Sequence, residues 1–325
     1  MKATVCTIFE GEYYYGVATL VNSLYQWGYR GSIYAAYAGV LPTCFSGAKQ
    51  DEGLSWKGAS TLEVTEDLKL HLLPVTTTNH LANYKPDFML ELWQGSLKDA
   101  QQLFYFDPDI TLAYNWNYLE EWTDCGIALC EDVNSPLGKN HPRRIAWRNY
   151  FAPHGFDLVY KESVYANSGF IGVKKEDISF LETWKKIQEA IAGSIGGLNR
   201  SPFNGVGLLA EKDRGDYAPF SRTDQDALNA AVEAWQGVVS ILGKPGMAFA
   251  QGTALIPHAV GAPKPWQWRP LKQALAGFTP RLADREYWKY AGGPLKIETT
   301  KKIRRRSTSL KLAGFIGRFY RRAGL

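Results

Sequence analysis

The sequence of 325 residues lacks the features that mark secreted or membrane-spanning proteins. It holds no apolar run of about 18 residues, which excludes a membrane-spanning helix. Its first residues, MKATVCTIFEGE, reach acidic side chains after a short apolar run and offer no small-residue cleavage site, so we expect no signal peptide. Four cysteines are too few for a disulfide framework and lack zinc-like spacing: Cys6, Cys44, Cys125 and Cys130. We therefore expect reduced cysteines and a cytoplasmic protein.

Outside the C-terminal segment, acidic residues outnumber basic ones. The net charge is +5, but residues 301–325 contain nine Lys/Arg and no acid, which leaves 28 basic and 32 acidic residues elsewhere. A nucleic-acid groove needs Lys/Arg clustered along one face, so the slightly acidic body argues against nucleic acid as a partner. The basic character belongs to the last 25 residues.

A hydrophobic content of 45% excludes a disordered chain and supports a large core. The N-terminal pattern predicts a strand at Ala3–Phe9, a helix, and a second strand at Ser32–Ala38. The apolar face of that helix is formed by Val17, Leu20, Val21 and Leu24. This order is typical of a doubly wound α/β sheet.

Further elements follow the same alternation. A strand pair is expected between Thr61 and Val75, and buried strands at Leu103–Phe106, Gly126–Cys130 and Gly169–Val173. Helices are expected at Asp87–Trp93, Ile178–Ala192 and Asp224–Trp235, with Thr223 as N-cap of the last one. After about residue 250 the pattern predicts irregular structure.

The sharpest local feature is the strand LFYF followed by Asp107-Pro108-Asp109. Carboxylates at i and i+2 at the end of a strand project into the crevice where α/β sheets bind ligands. Two such acids raise each other's pKa unless a cation joins them, and a hard divalent ion with nucleotide phosphates suits them. Asp-Pro-Asp is also good surface-turn chemistry, so both interpretations stay open at this point.

The same residues fit a second pattern. Asp107 to Thr111 matches the DxDxT motif of haloacid-dehalogenase-like phosphatases, with Asp107 as nucleophile and Asp109 as general acid. That class places the motif on its first strand and needs a later paired acidic motif. Here about a hundred residues of α/β pattern precede it, and the later acids Asp213 and Asp216 are poorly spaced.

The segment HAVGAPKPW, from His258 to Trp266, favours the metal interpretation. A lone His is usually a structural residue, but this one lies six residues before Lys264 in a Gly/Pro loop that can bend around a phosphate. His258 can ligate the same metal and Lys264 can neutralise a leaving diphosphate. Trp266 is either a packing residue or a sugar platform.

Several motifs between Thr7 and Trp266 together resemble glycosyltransferase family 8, which has the GT-A fold. They are the opening strand and turn with Tyr13 and the helix ending in Asn22-Ser23-Leu24, Tyr84-Lys85-Pro86, FDPD, Ala166-Asn167-Ser168-Gly169, Thr223-Asp224-Gln225-Asp226 and HAVGAPKPW. The resemblance implies retaining sugar transfer from a nucleotide-sugar, with Mn²⁺ or Mg²⁺ as cofactor. The family usually has an Asp-rich turn after the first strand, where this chain has Glu10-Gly11-Glu12, so uridine is favoured by analogy alone.

The resemblance also implies roles for individual residues. Asp107, Asp109 and His258 match the metal ligands. The residues matched to donor binding are Thr7, Phe9, Tyr13, Lys85, Asp107, Asn167, Asp224, Gly261 and Lys264. Gln225 and Asp224 match residues on the catalytic face. The carboxamide of Gln225 is a poor nucleophile, but it stabilises positive charge at the anomeric carbon. This favours same-face attack over a covalent double displacement. The alternatives are a tight turn at Asn167-Ser-Gly and an acid-rich helix start at TDQD.

The C-terminal segment predicts a basic amphipathic helix over 310–325. Its apolar face is Leu312, Phe315, Ile316, Phe319 and Tyr320, opposite Lys311, Arg318, Arg321 and Arg322. Such a helix suits an anionic membrane surface, and deletion of 301–325 is expected to release the protein from anionic vesicles. The alternative is a helix that docks its apolar face on the body. Gly314 and Gly317 are expected to weaken the helix in water.

Taken together, the sequence predicts an α/β GT-A domain (Rossmann-like, a mixed central sheet with helices on both faces) at 1–270, an extension at 271–300 and a membrane-association tail at 301–325. The expected function is a metal-dependent retaining hexosyltransferase using a UDP-sugar and a glycan or lipid-linked acceptor, in bacterial surface polysaccharide or lipooligosaccharide assembly, peripheral on the inner face of the plasma membrane. The alternatives are the phosphatase and a non-catalytic sugar-nucleotide or glycan-binding module. The segment 141–154 either lines the acceptor site or is a packed loop.

Overall fold

The computed structural model describes residues 3–203 and 207–319, which build one mixed sheet flanked by helices. The strands are β1 (Ala3–Glu10), β2 (Gly31–Ala38), β3 (Lys49–Gln50), β4 (Ser60–Thr65), β5 (Leu68–Pro74), β6 (Gln102–Phe106), β7 (Ile127–Glu131), β8 (Ala166–Lys174) and β9 (Val239–Leu242). The helices are α1 (Tyr14–Gln26), α2 (Lys85–Gln94), α3 (Trp116–Trp122), α4 (Pro142–Phe151), α5 (Ile178–Ile195), α6 (Thr223–Ala234), α7 (Pro270–Leu275), α8 (Leu282–Tyr290) and α9 (Thr300–Phe319).

The sheet order is β3-β4-β5-β2-β1-β6-β8-β7-β9. β1 runs parallel to β2 on one side and to β6 on the other, whereas β8 is antiparallel to both β6 and β7. The chain therefore moves outward in one direction after β1 and returns on its other side at β6. Ligands of open α/β sheets bind at such a switch point, outside the carboxyl ends of the strands. The turn after β1 and the Asp107-Pro108-Asp109 turn after β6 meet at this edge.

Both faces of the sheet are covered. Strand β6 is buried along its whole length and alternates its side chains between two cores. Leu103 and Tyr105 belong to the core formed with α2, α4, α5 and α6, while Phe104 and Phe106 belong to the core formed with α1 and α3. A strand buried on both faces reads as a continuous apolar run, which explains the LFYF signal. The predicted mixed sheet with helices on both faces is confirmed.

Most predicted elements lie within a few residues of the observed ones, but several local predictions are wrong. Thr223 is the first residue of α6 and not its N-cap, because Arg222 holds that position; the Thr223 hydroxyl donates to Asn83 Oδ1 at 2.7 Å. The region after residue 250 is not irregular throughout, since α7, α8 and α9 occupy much of 270–319. Pro270 lies in the first turn of α7, where a missing N–H costs nothing.

The last two helices pack on the HAVGAPKPW loop. Their shared core consists of Trp266, Trp268, Tyr287, Trp288, Ala291 and Leu310. Helix α9 approaches Thr279 so closely that a Cβ on Gly317 would lie 2.1 Å from the Thr279 Cγ2 atom. The glycine expected to weaken the helix therefore permits its docking.

Helix α9 begins ten residues earlier than predicted and buries a different face. Leu310, Ala313 and Gly317 face the body, whereas Leu312, Phe315 and Phe319 of the predicted apolar face are half or more exposed. Tyr320, Arg321 and Arg322 lie outside the described residues. None of the described helices has the length and apolar character needed to cross a membrane. The four cysteines are free thiols, as expected.

Candidate functional site

The carboxylate of Asp109 lies at the centre of a charged cluster at the carboxyl edge of the sheet. It is 8% exposed. Its Oδ1 atom is 3.2 Å from His258 Nε2 and its Oδ2 atom is 2.5 Å from Lys264 Nζ. The second acid, Asp107, is about a quarter exposed and has Oδ2 3.9 Å from the same His258 nitrogen. Residues separated by some 150 positions in sequence therefore share one site.

Backbone pairing delivers His258 to the two acids. The segment after β6 runs antiparallel to the segment before the HAVGAPKPW loop, with an isolated bridge between Ile110 and His258. Thr111 N donates to Pro257 O at 3.1 Å, and Ala259 N donates to Asp109 O at 3.1 Å. These bonds fix the side chain of His258 over the acidic turn.

The three side chains fit a divalent metal. Asp107, Asp109 and His258 each offer one ligand atom, and these atoms lie within 4.8 Å of one another. Two carboxylates and one imidazole suit Mn²⁺, and the carboxylates suit Mg²⁺. His258 Nδ1 is buried and has no hydrogen-bond partner in the described part of the chain.

Charge at the site is balanced by Lys264. Burial alone would raise the pKa of Asp109, but its interactions with His258 and Lys264 outweigh burial and lower it. For Lys264, burial works toward a lower pKa, and attraction to Asp109 leaves the pKa raised. The Lys264 ammonium also donates to Ala259 O at 3.0 Å. The cluster thus holds a lysine charge that a phosphate group can attract.

The turn after β1 packs against the end of the HAVGAPKPW loop. The Tyr13 ring lies 5.6 Å from the Trp266 ring and 5.6 Å from Lys264 Nζ, and Gln267 Nε2 donates to Glu12 Oε2 at 2.7 Å. Gly261 has a φ of +75°, which favours glycine in this bend. The structure therefore brings Tyr13 and Lys264 together, and their contact with a donor stays a prediction.

Two predicted donor residues lie deeper. Thr7 and Phe9 of β1 are buried, and Phe9 packs against Tyr37 and Phe45. The Thr7 hydroxyl is buried without a hydrogen-bond partner among residues 3–203 and 207–319. Both are on the strand that leads into the turn with Tyr13, and their contact with a nucleobase stays a prediction.

Lys85 joins Asp107, one of the candidate metal ligands, to the start of α6. Its Nζ atom lies 3.1 Å from Asp107 Oδ1 and 3.0 Å from Asp224 Oδ2, and it donates to Ser168 O at 3.1 Å. Burial would lower the pKa of Lys85, but the two carboxylates more than offset this and raise it. The ammonium group is therefore held charged in a nearly inaccessible position.

The predicted reacting face lies beside this lysine. Gln225 Oε1 accepts from Ser168 N at 3.3 Å and from Asn167 Nδ2 at 3.4 Å. Ser168 Oγ donates to Asp224 Oδ2 at 2.7 Å. Asn167-Ser-Gly forms part of strand β8 and is not a tight turn. The TDQD run does begin a helix, and its first-turn acids are Asp224 and Asp226.

Gly169 permits the close approach of these parts. A Cβ at this position would lie 2.6 Å from His258 Cε1 and 2.9 Å from Asp107 Oδ2. Asp107 N also donates to Gly169 O at 2.7 Å. A side chain here would push against two of the three candidate metal ligands.

The segment 141–154 contains helix α4 and is therefore not a packed loop, and its contact with an acceptor stays a prediction. Arg143 and Arg144 of α4 are buried and donate hydrogen bonds to Asp226 and Glu233 of α6. Tyr165 Oη donates to the same Asp226 carboxylate at 2.7 Å. Helix α4 thereby fixes the helix that carries Asp224 and Gln225. The sequence analysis did not identify this pairing, because it depends on how α4 packs against α6.

Two other contributors were also missed. Asp132, just after β7, accepts from Asn167 Nδ2 at 2.7 Å, and Asn83 accepts from Thr223. Neither residue belongs to a motif with a recognisable spacing. Their partners are distant in sequence, so the fold alone reveals them.

The comparisons with known proteins concern the fold. No protein-family model and no curated protein sequence matches the chain. Solved structures do: galactosyltransferase LgtC in complex with donor and acceptor sugar analogs (13% identity, TM-score 0.51, 93% of this chain and 99% of that one), and the apo bifunctional glycosyltransferase WbbM (12%, 0.50, 94% of this chain and 52% of that one). An active-site mutant of LgtC is similar to the same degree (14%, 0.50, 93% and 99%). The chain thus has the mixed α/β architecture of GT-A glycosyltransferase structures.

Proposed function

We propose that this chain is a metal-dependent retaining glycosyltransferase related to family 8, which transfers a hexose from a UDP-sugar. The observation that carries the proposal is the convergence of Asp107, Asp109 and His258 at the switch point of a GT-A sheet. Lys264 and Tyr13 lie beside this cluster, where a diphosphate and a base can be held. This arrangement favours the transferase over the phosphatase, which assigns no role to His258.

Each side chain has a role that follows from its contacts. Asp107, Asp109 and His258 would hold Mn²⁺ or Mg²⁺. The metal supplies Lewis-acid stabilisation of the departing diphosphate. Lys264 would neutralise the same diphosphate once its ammonium group leaves Asp109.

The sugar-binding side is formed by Asp224, Gln225 and Asn167. Asp224 uses Oδ2 for Lys85 and Ser168, so its other oxygen is available for a sugar hydroxyl. Gln225 is held by Ser168 N and Asn167, and a carboxamide fixed in this way can be presented to the reacting carbon. Lys85 keeps Asp107 and Asp224 at a fixed separation, and its contact with the donor stays a prediction.

The proposed transfer breaks the bond between the anomeric carbon and a diphosphate oxygen, and the electron pair leaves with the diphosphate. The acceptor hydroxyl oxygen forms the new bond from the same face, and its proton passes to the departing phosphate oxygen. Gln225 stabilises positive charge on the anomeric carbon between these events. A glycosyl ester trapped on a carboxylate of this chain would contradict the mechanism.

The acceptor is proposed to be a glycan or a lipid-linked sugar, in assembly of a bacterial surface polysaccharide or lipooligosaccharide at the inner face of the plasma membrane. Support comes from helix α9, which leaves Leu312, Phe315 and Phe319 exposed beside a run of basic residues. Exposed apolar and cationic side chains on one helix favour an anionic lipid surface.

The first test is calorimetric titration of UDP with Mn²⁺ present and then with EDTA. Asp109→Asn is compared with the wild type, and Asp124→Asn is the matched control, since Asp124 is a half-exposed acid paired with Lys174. We expect binding that needs both the metal and Asp109 and that is unchanged in the control. Such binding justifies a screen of UDP-sugars with glycan acceptors.

Other outcomes separate the alternatives. Metal-dependent binding of CDP or GDP in place of UDP would correct the base. Release of phosphate from a generic phosphatase substrate, with no nucleotide binding, would favour the phosphatase. Metal-dependent UDP binding without turnover of any UDP-sugar, alone or with acceptor, would favour the non-catalytic binding module.

A further inference from the structure

A cationic cavity lies away from the candidate active site, between α7 and the first half of α9. It has a volume of about 400 Å³, within the range of small-ligand sites. Five basic side chains line it: Arg269, Lys272, Lys302, Arg305 and Arg306. No carboxylate is among its lining residues within the described part of the chain.

Much of this positive charge is uncompensated. Lys302 pairs with Glu298 at 2.5 Å, and Arg306 donates to Trp268 O at 2.8 Å and stacks over Trp288. The other three cations, Arg269, Lys272 and Arg305, make no salt bridge among residues 3–203 and 207–319. Like charges gathered around a concave surface raise the local potential and attract an anion.

The two helices that form the cavity also carry exposed apolar side chains. Leu271 and Leu275 of α7 are exposed, and α7 packs alongside α9. On α9, Leu312 and Phe319 follow Arg305 at intervals of seven residues, so all three lie on one side of the helix. Phe319 is 78% exposed. A small soluble anion makes no contact with these exposed apolar side chains. A membrane lipid has a charged headgroup for the cavity and an acyl chain for the apolar side chains.

We propose that the cavity between α7 and α9 binds the phosphate group of an anionic membrane lipid, while the exposed leucines and phenylalanines enter the boundary between headgroups and acyl chains. Phosphate oxygens match arginine guanidinium groups in geometry and charge. The proposal deepens the membrane location in the proposed function and does not depend on the transferase chemistry. It assigns a role to Arg269 and Lys272, which lie outside the basic tail.

Flotation of the full chain with vesicles tests the proposal without nucleotide or acceptor. Vesicles of phosphatidylcholine are compared with vesicles that also contain phosphatidylglycerol, at about 0.1 M salt, where surface charges still act over about 10 Å. The cavity variant carries Arg269→Ala, Lys272→Ala and Arg305→Ala. The control variant carries Lys301→Ala, Arg304→Ala and Lys311→Ala, three exposed α9 residues outside the cavity lining. Both variants lose three positive charges.

We expect the wild type to bind only the anionic vesicles. The cavity variant should lose at least about tenfold more vesicle partitioning than the control variant, because the control charges act only through the general surface potential. Thermal unfolding of both variants is measured to check that each remains folded. Equal losses would overturn a specific site and leave diffuse electrostatics.

Two further results would also overturn the proposal. One is a wild type that fails to float with phosphatidylglycerol vesicles. The other is release from those vesicles by millimolar inorganic phosphate at matched ionic strength, which would make free phosphate the ligand. Since UDP titration is measured separately, a negative flotation result leaves the proposed transferase site intact.

Discussion

The Nζ atom of Lys264 lies 2.5 Å from Oδ2 of Asp109, so a lysine ammonium neutralises one of the carboxylates that are expected to hold a divalent ion. Removal of Lys264 should therefore have opposite effects on two ligands. In Lys264→Ala, Mn²⁺ alone should bind several-fold more tightly, because Asp109 loses a competing cation. UDP in excess Mn²⁺ should bind about tenfold or more weakly, because the diphosphate loses a positive partner.

Calorimetry with Mn²⁺ alone and then with UDP measures both effects. Lys289→Ala is the control, since it removes the same charge from the half-exposed surface of α8. Weaker Mn²⁺ binding in Lys264→Ala would show that the lysine supports the metal site and does not compete with it.

Replacement of Lys85 should cause a large loss in the free energy of unfolding. Its side chain is 5% exposed and bridges Asp107 and Asp224. Lys85→Met leaves two carboxylates without their shared cation, and removal of one partner from a buried ion pair costs about 3–5 kcal/mol. The folded pKa of Lys85 is raised, so its contribution is fully present below the unfolded value of about 10.4 and is lost only at higher pH. The loss should thus be constant near neutral pH.

Urea unfolding measures this loss. The double variant Lys85→Met/Asp224→Asn should recover part of the free energy of unfolding, since one of the stranded charges is then removed. Strictly additive losses in the double variant would contradict a coupled pair.

Replacement of Gly169 by alanine should weaken metal binding through a steric effect alone. In Gly169→Ala the new methyl group meets His258 and Asp107, two of the three candidate ligands. We expect metal-dependent UDP binding to fall at least about tenfold, with a loss of stability typical of overpacking, roughly 1–3 kcal/mol. Gly138→Ala is the matched control, because a Cβ there meets no atom within 4 Å. Unchanged UDP binding in Gly169→Ala would mean that the metal ligands lie elsewhere.

The sequence predicts the scaffold of this site better than its internal contacts. Asp107, Asp109 and His258 are predictable because a strand end and a Gly/Pro loop carry recognisable spacing, and the parallel β1 and β6 bring the two turns to one edge. The roles of Arg143 and Asp226 were not predictable in the same way. Their contact depends on the packing of α4 against α6, which no local pattern encodes. Similarly, the face that α9 buries is set by Gly317 against Thr279 and not by its most apolar stripe.

His71 predicts a change of stability with pH that is independent of the candidate active site. It lies in β5 with its ring 4.5 Å from that of Tyr34, and burial lowers its pKa to about 4. In the unfolded chain a histidine binds its proton near pH 6.5, so between pH 6.5 and 4 the unfolded state holds more protons and stability falls as the pH falls. From pH 7.5 to pH 5 this group alone should remove roughly 2 kcal/mol from the free energy of unfolding.

Urea unfolding at the two pH values should show that His71→Leu loses this part of the pH dependence, whereas His154→Leu, at an exposed position, keeps it. An equal pH dependence in the wild type and His71→Leu would place the acid sensitivity in other groups.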